Sequence, residues 1–203
     1  MFYDANARPA VLRHDPIKAL VVPRPIGWVS AMSRSGAVNL APYSFFNAFS
    51  TDPAIVGFSS GGYKDSAAFV EETGEFVCNI ATYDLRHEMS DTSAPLPRGQ
   101  SEFEAAGLGM EPSVLVKPPR VKGVAAALEC RWLQTIPLAD LNGRPVGWWL
   151  VLGQVVGVYI DDRFLVDGIV DTAAMQPIAR LGYRDYSVVD EVFAIKRPAG
   201  GGD

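Results

Sequence analysis

The stretch 39–60 reads NLAPYSFFNAFSTDPAIVGFSS, with five aromatic rings and several hydroxyl and amide side chains around an Asp-Pro break. Aromatic and β-branched residues favour strands, so we expect one extended run over 38–51 and another over 54–60. Proline has no N–H for a ladder hydrogen bond, and Pro42 therefore predicts a bend or a sheet edge. A strand that only filled a core would need few of these polar groups, which makes the stretch a candidate ligand surface.

Side chains along a strand point alternately to its two faces. The stretch therefore predicts two sets, with Tyr43, Phe45 and Asn47 on one face and Ser44, Phe46 and Ala48 on the other. One set would fill the core, and the other would border a groove in which a flat heteroaromatic ring meets main-chain N–H and C=O groups. The alternative is that the aromatic rings pack a barrel and the polar residues face water, and composition does not separate the two.

The next segment, SSGGYKDSAAF over 59–69, runs from a strand end through two glycines to a predicted helix over 65–74. Glycine lets the backbone approach a ligand closely, and a helix N-terminus offers free N–H groups at its positive end. Lys64 adds a full charge, so phosphate would suit this place. The alternative is an exposed turn in which Asp65 only caps the helix. A planar ring beside a phosphate describes flavin mononucleotide (FMN), although other mononucleotides fit the same residues.

Strand patterns dominate the rest of the chain. Further strands are predicted over 26–33, 75–81, 125–138 and 147–160, with reversals at 33–36 and at Asn142-Gly143. Short helices are predicted after Asp15, over 83–92 and over 101–109, where Ser101 and Glu104 have capping-box spacing. Consecutive strands joined by turns favour a mainly β fold, an antiparallel barrel or Greek-key sheet with short inserted helices, over βαβ units. One domain is expected over 1–197, followed by a flexible tail over 198–203.

Composition narrows the function classes. The chain has 203 residues and a formal net charge of −5, which disfavours nucleic acid because its binding surfaces need clustered Lys and Arg. No apolar run reaches the ~18 residues of a membrane span and no signal peptide pattern is present, so we expect a cytoplasmic protein without membrane contact. Cys78 and Cys130 favour two reduced core thiols over a disulfide. With only His14 and His87 as histidines, no metal site is predicted and the catalytic side chains stay unassigned.

One long segment carries a family resemblance. Residues 22–81, VPRPIGWVSAMSRSGAVNLAPYSFFNAFSTDPAIVGFSSGGYKDSAAFVEETGEFVCNIA, resemble the flavin reductase-like family of FMN-binding split barrels, in particular its flavoprotein oxygenase and flavoredoxin-like branch. The similarity continues through GQSEFEAAGL, KPPRV, LVLGQVVGVYID and PIARLGYRDYSVV, and so spans nearly the whole chain. The resemblance implies a homodimeric, antiparallel Greek-key split β-barrel that binds FMN non-covalently near the dimer interface.

The same resemblance implies cofactor contacts position by position. The flavin ring and ribityl chain would contact the strand residues Tyr43, Ser44, Phe45, Asn47 and Ala48. The ribityl phosphate would lie among Ser59, Ser60, Lys64, Asp65 and Ser66, where Asp65 would cap the helix and orient Lys64. Arg180, Gly182 and Tyr186 match a C-terminal motif that such dimers bring towards the active site.

The sequence departs from the family at one point. Many NAD(P)H-dependent members carry a Gly-Asp-His segment before the last long strand, whereas LNGRPVGWWLVLG over 141–153 has no histidine. The leading hypothesis is an FMN oxidoreductase that takes a hydride from NAD(P)H and passes electrons to free flavin, oxygen or a partner. The alternatives are an FMN electron-transfer protein reduced by a partner without direct NAD(P)H use, and a split barrel that has lost its flavin and serves as a binding module.

Overall fold

The computed structural model describes residues 1–97, 100–196 and 198. β-Strands dominate it, as predicted. In chain order the strands are β1 (Arg24–Pro25), β2 (Gly27–Met32), β3 (Val38–Tyr43), β4 (Phe46–Thr51), β5 (Ala54–Gly61), β6 (Glu75–Ile80), β7 (Met110–Glu111), β8 (Arg120–Val121), β9 (Ala126–Ala139), β10 (Pro145–Ile160), β11 (Leu165–Val166), β12 (Ile169–Val170), β13 (Ile178–Arg180) and β14 (Tyr186–Val188). The extent of one domain over 1–197 stays a prediction, and the predicted tail lies, apart from Pro198, outside the described residues.

Short helices interrupt the strands. They are α1 (Ile17–Leu20), α2 (Asp65–Thr73), α3 (Arg86–Asp91), α4 (Glu102–Ala105) and α5 (Thr172–Met175), with a 3-10 turn over Asp162–Phe164. Helix α2 ends at Gly74, whose φ of 76° is the left-handed conformation that glycine adopts without strain. In the part of the chain that the structure describes, no helix has the length and apolar character needed to span a membrane.

Seven strands form one antiparallel sheet in the order β3-β2-β6-β9-β10-β5-β4. Its two edge strands, β3 and β4, are consecutive in the chain and separated only by Ser44 and Phe45. So short a link makes the sheet curl until its edges approach each other, and the Ser59 N–H in β5 donates to the Phe45 carbonyl at 2.8 Å. The sheet is therefore a barrel that closes at Ser44 and Phe45, a place called the seam below.

The sheet buries apolar side chains on both of its faces. Trp28 and Val29 are neighbours in β2, point to opposite faces and are both fully buried. Val29 belongs to a cluster with Phe76 inside the barrel. Trp28 belongs to a second cluster with Met89 of α3 and Phe103 of α4. Helices α3 and α4 consequently pack against the outside of the sheet, and residues 92–96, which follow α3, lie near edge strand β3.

The alternation predicted over 43–48 is wrong because the extended run is interrupted at the seam. Tyr43 ends β3 and is buried against Phe58, with ring centroids 4.5 Å apart. Strand β4 starts at Phe46, which packs on the same inner cluster, whereas Phe45 is 39% exposed. A two-residue link between separate strands resets the side-chain phase, so Tyr43 and Phe46 point to one core although they are three residues apart.

Two predicted helix caps are also wrong. Lys64 holds the N-cap position of α2, and Asp65 is its first helical residue. Ser101 holds the N-cap position of α4, but its side chain makes no capping hydrogen bond, and its buried hydroxyl has no partner among the described residues. The sequence spacing located both helix starts, but it could not show which side chain turns toward the free N–H groups.

Two predictions are confirmed: the position of Pro42 at a sheet edge and the tight turn at Asn142-Gly143. Pro42 lies in β3 at the edge of the sheet. Between β9 and β10 the Asp140 N–H donates to the Arg144 carbonyl at 2.9 Å, and Gly143 has a φ of 77°. Asn142-Gly143 therefore lies in a tight reversal, as its composition indicates.

The two cysteines are buried and free, as predicted. Cys78 in β6 and Cys130 in β9 lie near each other because these strands pair in the barrel. Burial raises the pKa of the Cys78 thiol, and the neighbouring Cys130 raises it further. Both side chains therefore act as small apolar core groups.

Candidate functional site

A cavity of about 410 Å³ opens where β3 meets the N-terminus of α2, and it is called the first cavity below. Its lining combines β3, the start of α2, α4 and the segment after α3: Asn39, Ala41, Pro42, Tyr43, Lys64, Asp65, Ser66, Thr92, Ser93, Ala94, Pro95, Leu96 and Glu102. The cavity thus brings together the polar strand and the glycine-linked helix start, which the sequence predicted to lie side by side.

Buried hydrogen bonds fix the wall of this cavity. The Glu102 carboxylate accepts from the Asn39 side-chain amide and from the Leu40 N–H, both at 3.0 Å. The Ser66 hydroxyl donates to Asn39 Oδ1. A buried polar group that loses its partner costs more than the bond contributes, so each member holds the next in place. Asn39 therefore ties the edge strand to α2 and α4, and it orients Ser66.

Tyr43 continues this network on the barrel side. Burial raises the pKa of Tyr43, while hydrogen bonds with the Ser66 and Ser60 hydroxyls act in the opposite direction. Its hydroxyl is therefore a neutral hydrogen-bonding group. The Ser60 hydroxyl also donates to the Gly62 carbonyl at 2.9 Å, and Gly62 has a φ of 89° that disfavours any side chain. Ser60 thus holds the glycine turn that leads to α2.

At the start of α2, both Lys64 and Asp65 line the first cavity. Lys64 has an exposed side chain and makes no ion pair with any described residue. The free N–H groups of the first helical turn lie at the same place and carry the positive end of the helix dipole. Of the carboxylates here, that of Glu102 already accepts two hydrogen bonds. The arrangement suits an anion such as a phosphate group.

The segment 92–96 forms the wall opposite the strand. Trp28 Nε1 donates to Thr92 Oγ1 at 2.9 Å, and the Thr92 hydroxyl donates to the Met89 carbonyl at 2.8 Å. Since Trp28 and Thr92 are both buried, the end of α3 is fixed to β2. The residues that follow Thr92 therefore start from a fixed point beside β3.

A second cavity, of about 250 Å³, shares Pro42 and Ser93 with the first. Its other lining residues come from the N-terminal segment, the seam and the C-terminal part: Lys18, Arg24, Ile26, Ser44, Met89, Arg180, Leu181, Tyr183 and Tyr186. The Arg180 guanidinium carbon lies 4.5 Å from the centre of the Tyr186 ring. Three cationic side chains therefore line a cavity next to the seam.

Other predicted contacts lie on the outer face of β4, β5 and β10. Ser59 pairs with Leu150, which pairs in turn with Ile136 of β9, and cross-strand partners share a face. The Phe45 ring packs edge-on against Trp148 with centroids 5.1 Å apart. Ser59 Oγ is buried but has no hydrogen-bond partner in the described ranges. This face is apolar and half-exposed, with one unsatisfied hydroxyl in it.

Comparison with known proteins identifies the family. A family model described as "Flavin reductase like domain" matches residues 19–170. The chain belongs to this family. A relative from Halalkalibacterium halodurans, itself an uncharacterized protein, is 36% identical over 183 residues, which are 88% of this chain and 87% of the relative.

Solved structures place the flavin reductase-like chain among split barrels. Nitrilotriacetate monooxygenase component B from Bacillus cereus is 28% identical, with a TM-score of 0.87 over 96% of this chain and 98% of that one. A Shewanella frigidimarina protein described as having a split barrel domain is 25% identical, with a TM-score of 0.84 over 96% of each chain. Flavoredoxin of Desulfovibrio vulgaris is 20% identical over 89% of this chain and 94% of its own, and its TM-score of 0.77 supports the fold alone.

These findings confirm the resemblance and the fold class stated from the sequence. The protein is a mainly β, antiparallel split barrel of the flavin reductase-like family. Membership of this family supports a flavin-dependent oxidoreductase function.

The structure divides the predicted cofactor contacts into three groups. The first cavity is lined by Tyr43, Lys64, Asp65 and Ser66. The second cavity is lined by Ser44, Arg180 and Tyr186. Neither cavity is lined by Phe45, Asn47, Ala48, Ser59 or Ser60. Asn47 is exposed, and its side chain accepts from the Ala48 N–H at 2.8 Å. The predicted contacts therefore surround the seam from inside and outside, and their role in cofactor binding stays a prediction.

Sequence reasoning missed several residues of the flavin reductase-like site. Asn39 stood at the start of the quoted stretch, and Arg24 stood between two prolines in the matching segment, so both carried a signal that was not used. Glu102 was overlooked because Glu104 had the capping-box spacing. The segment 92–96 carries no local motif, because its contact with β3 depends on the packing of α3 against Trp28.

Proposed function

We propose that this protein is an FMN-binding oxidoreductase that takes a hydride from NAD(P)H and passes electrons to free flavin, oxygen or a partner. The observation that most directly supports it is the first cavity, where a polar edge strand meets a helix N-terminus and a lysine that makes no ion pair with the described residues. FMN, when bound, supplies the redox chemistry, while the protein binds and orients it and controls access to it.

In this proposal the phosphate lies at the start of α2. The ammonium group of Lys64 and the free N–H groups of the first turn, that of Ser66 among them, hold it there. Ser66 is buried and fixed by Asn39, so its position is set before a ligand arrives. The first cavity, at about 410 Å³, lies within the roughly 300–1,000 Å³ typical of small-molecule sites.

The ring and ribityl chain extend in the proposal along Tyr43, Ser44 and Phe45 toward the seam. Edge strands have main-chain groups without ladder partners on their outer side, and β3 and β4 are the sheet edges. The buried, unpaired hydroxyl of Ser59 lies beside Phe45 and supplies a further donor or acceptor. Arg180 and Tyr186 lie on the other side of Ser44, at the end remote from Lys64.

The outer face of the barrel is the proposed homodimer interface. Phe45 is 39% exposed and Ile136 is 36% exposed, and they share this face with Trp148 and Leu150. A continuous apolar face of this kind is typical of a surface that another chain covers. A partner chain at this face would also cover Ser59 and the seam.

A second candidate function is an FMN electron-transfer protein that is reduced by a partner protein. The positions of the two histidines favour this candidate, since neither the first nor the second cavity has a histidine among its described lining residues. His14 and His87 line other clefts. The nicotinamide-associated Gly-Asp-His segment of related reductases has no counterpart in the exposed turn between β9 and β10.

An absorption spectrum of the purified protein, followed by anaerobic mixing with NADH and with NADPH, tests both candidates. Bound FMN that bleaches with NADH or NADPH alone supports the oxidoreductase. Bleaching that requires an added reductase supports the electron-transfer protein. Colourless protein that takes up no FMN on titration contradicts both and leaves the split barrel as a binding module.

A further inference from the structure

The second cavity has an unusual charge. Lys18, Arg24 and Arg180 line it together, and none of its described lining residues is an Asp or a Glu. None of the three cations makes an ion pair within the described part of the chain. Arg24 is the buried one of the three, and buried cations in proteins are normally paired with an opposite charge, which no described lining residue of this cavity supplies.

Arg24 is the most constrained of the three. Its side chain is only 6% exposed, and its guanidinium donates to the carbonyls of Lys18, Val21 and Leu181. Its Nε is buried and has no hydrogen-bond partner among the described residues. Burial lowers the pKa of Arg24, and the charge of Arg180 lowers it further. Carbonyl groups hold the guanidinium in place, but none of them neutralises its charge.

Arg180 faces Arg24 directly. The two residues are cross-strand partners in the pairing of β1 with β13, where like charges repel and destabilise a sheet. Arg180 is held there, since its guanidinium donates to the Tyr183 carbonyl at 2.5 Å and lies over the Tyr186 ring. Two fixed guanidinium groups on one cavity form a site where an anion relieves their repulsion.

The carboxylates nearest to this cavity lie outside it. Asp15 and Asp185 line a neighbouring, more open cleft together with Lys18 and Tyr183. They can balance the charge of Lys18 on that side. Arg24 and Arg180 do not line that cleft, so the two arginines determine the charge of the second cavity.

The second cavity also lies next to the proposed position of the flavin ring. It includes Ser44 of the seam and shares Pro42 with the first cavity. The Arg24 guanidinium carbon is 5.8 Å from the centre of the Phe45 ring. An anion between the arginines would therefore lie beside the seam, on the side away from Lys64.

We propose that the second cavity binds the carboxylate or phosphate group of a small-molecule reactant and places the rest of that molecule against the flavin. Its role as a reactant site rests on the proposed function, whereas the binding of an anion by Arg24 and Arg180 does not. The reactant is accordingly a small organic anion. Tyr183, Tyr186 and Ser93 supply additional hydrogen-bond donors around it.

The test measures the binding of benzoate and of inorganic phosphate to FMN-loaded protein by calorimetry at low ionic strength. Arg180→Gln should raise the dissociation constant about tenfold or more, since it removes a hydrogen bond from a charged donor. Arg180→Lys should recover part of the affinity because it retains the charge. Arg144→Gln, in the exposed turn between β9 and β10, is the charge-matched control and should leave the dissociation constant of the anion unchanged. Unaltered anion binding in Arg180→Gln would overturn the proposal.

A second measurement separates this site from the cofactor phosphate site. Lys64→Met should reduce the preference for FMN over riboflavin about 10- to 100-fold, and Arg180→Gln should leave that preference intact. If Arg180→Gln instead loses the preference for FMN and Lys64→Met keeps it, the second cavity holds the cofactor's own phosphate. That result would refute a reactant site. If the protein takes up no FMN at all, Arg180-dependent binding of benzoate in the Lys64→Met variant still shows the anion site, although the proposed function has failed.

Kinetics then distinguish the two sources of the anion. A rise in KM confined to NAD(P)H in Arg180→Gln identifies the phosphates of the electron donor. A rise confined to a carboxylate-bearing acceptor identifies the acceptor. If KM changes for neither, the cavity binds anions without positioning a reactant, and that part of the proposal is wrong.

Discussion

Lys64 combines an exposed ammonium group with a position at the N-cap of α2. Replacing it with methionine keeps an unbranched side chain one atom shorter and removes the charge together with its hydrogen-bond donors. We expect Lys64→Met to weaken FMN binding about 10- to 100-fold, since a hydrogen bond to a charged group contributes roughly 1.5–3 kcal/mol. Riboflavin, which has no phosphate, should bind equally well to both proteins in a fluorescence titration. Lys117→Met, outside both cavities, is the control, and equal losses for FMN and riboflavin would contradict the phosphate assignment.

Glu102 offers a test of the buried network. Its carboxylate accepts from Asn39 and from the Leu40 N–H, so an amide in its place would turn a donor toward one of those donors. We expect Glu102→Gln to lower the free energy of unfolding by about 1–3 kcal/mol in urea denaturation. Glu104→Gln, two positions along α4 and exposed, should change it little. Equal stability of the two variants would show that Glu102 is dispensable.

For single residues, the sequence predicted which residues would line the site better than it predicted their hydrogen-bond partners. Lys64 and Ser66 were expected at one site, and the structure places them in one cavity. Glu102 in the first cavity and Arg24 in the second were not expected, since their partners Leu40 and Leu181 are far away in the sequence. A pattern over a few residues cannot report a hydrogen bond that forms only after the barrel has closed.

Among the elements, β2 and β4 determine how the barrel closes. A Cβ at Gly27 of β2 would lie 2.5 Å from the Phe46 ring at the start of β4, which is too close for any real contact. We expect Gly27→Ala to destabilise the protein by about 1–3 kcal/mol, because the ring must leave its place. The cost should fall when Phe46→Ala is combined with it, and a thermal-unfolding double-mutant cycle measures the difference. A purely additive cycle would mean that the two side chains do not compete for space.

Strands and helices were predicted well where their patterns are local. The strands over 75–80 and 54–61 and the helix over 65–73 match the expectations closely. The break at Ser44 and Phe45 was not foreseen, since both flanking runs read as strand and only closure of the barrel requires a change of direction. Tyr43 was therefore grouped with Phe45, although it shares the inner core with Phe46.

At the scale of the whole molecule, the apolar outer face of β4, β5 and β10 predicts that two copies of the chain form a dimer. We expect light scattering after size exclusion to give twice the mass of one chain. Ile136→Lys combined with Leu150→Lys places two charges on the apolar face and should shift the protein toward monomer. Leu141→Lys, at the fully exposed tip of the long hairpin, should not. A dimer that survives the double substitution would exclude this face as the interface.

Strand β2 supplies Trp28 to one apolar cluster and Val29 to the other, so neither cluster can be dismantled while the other survives. Denaturation should consequently be a single all-or-none event without a half-folded intermediate. In native-state deuterium exchange, the amides of β2 should be released only with the complete loss of structure. The N-terminal segment before α1, which contributes to neither cluster, should exchange at once.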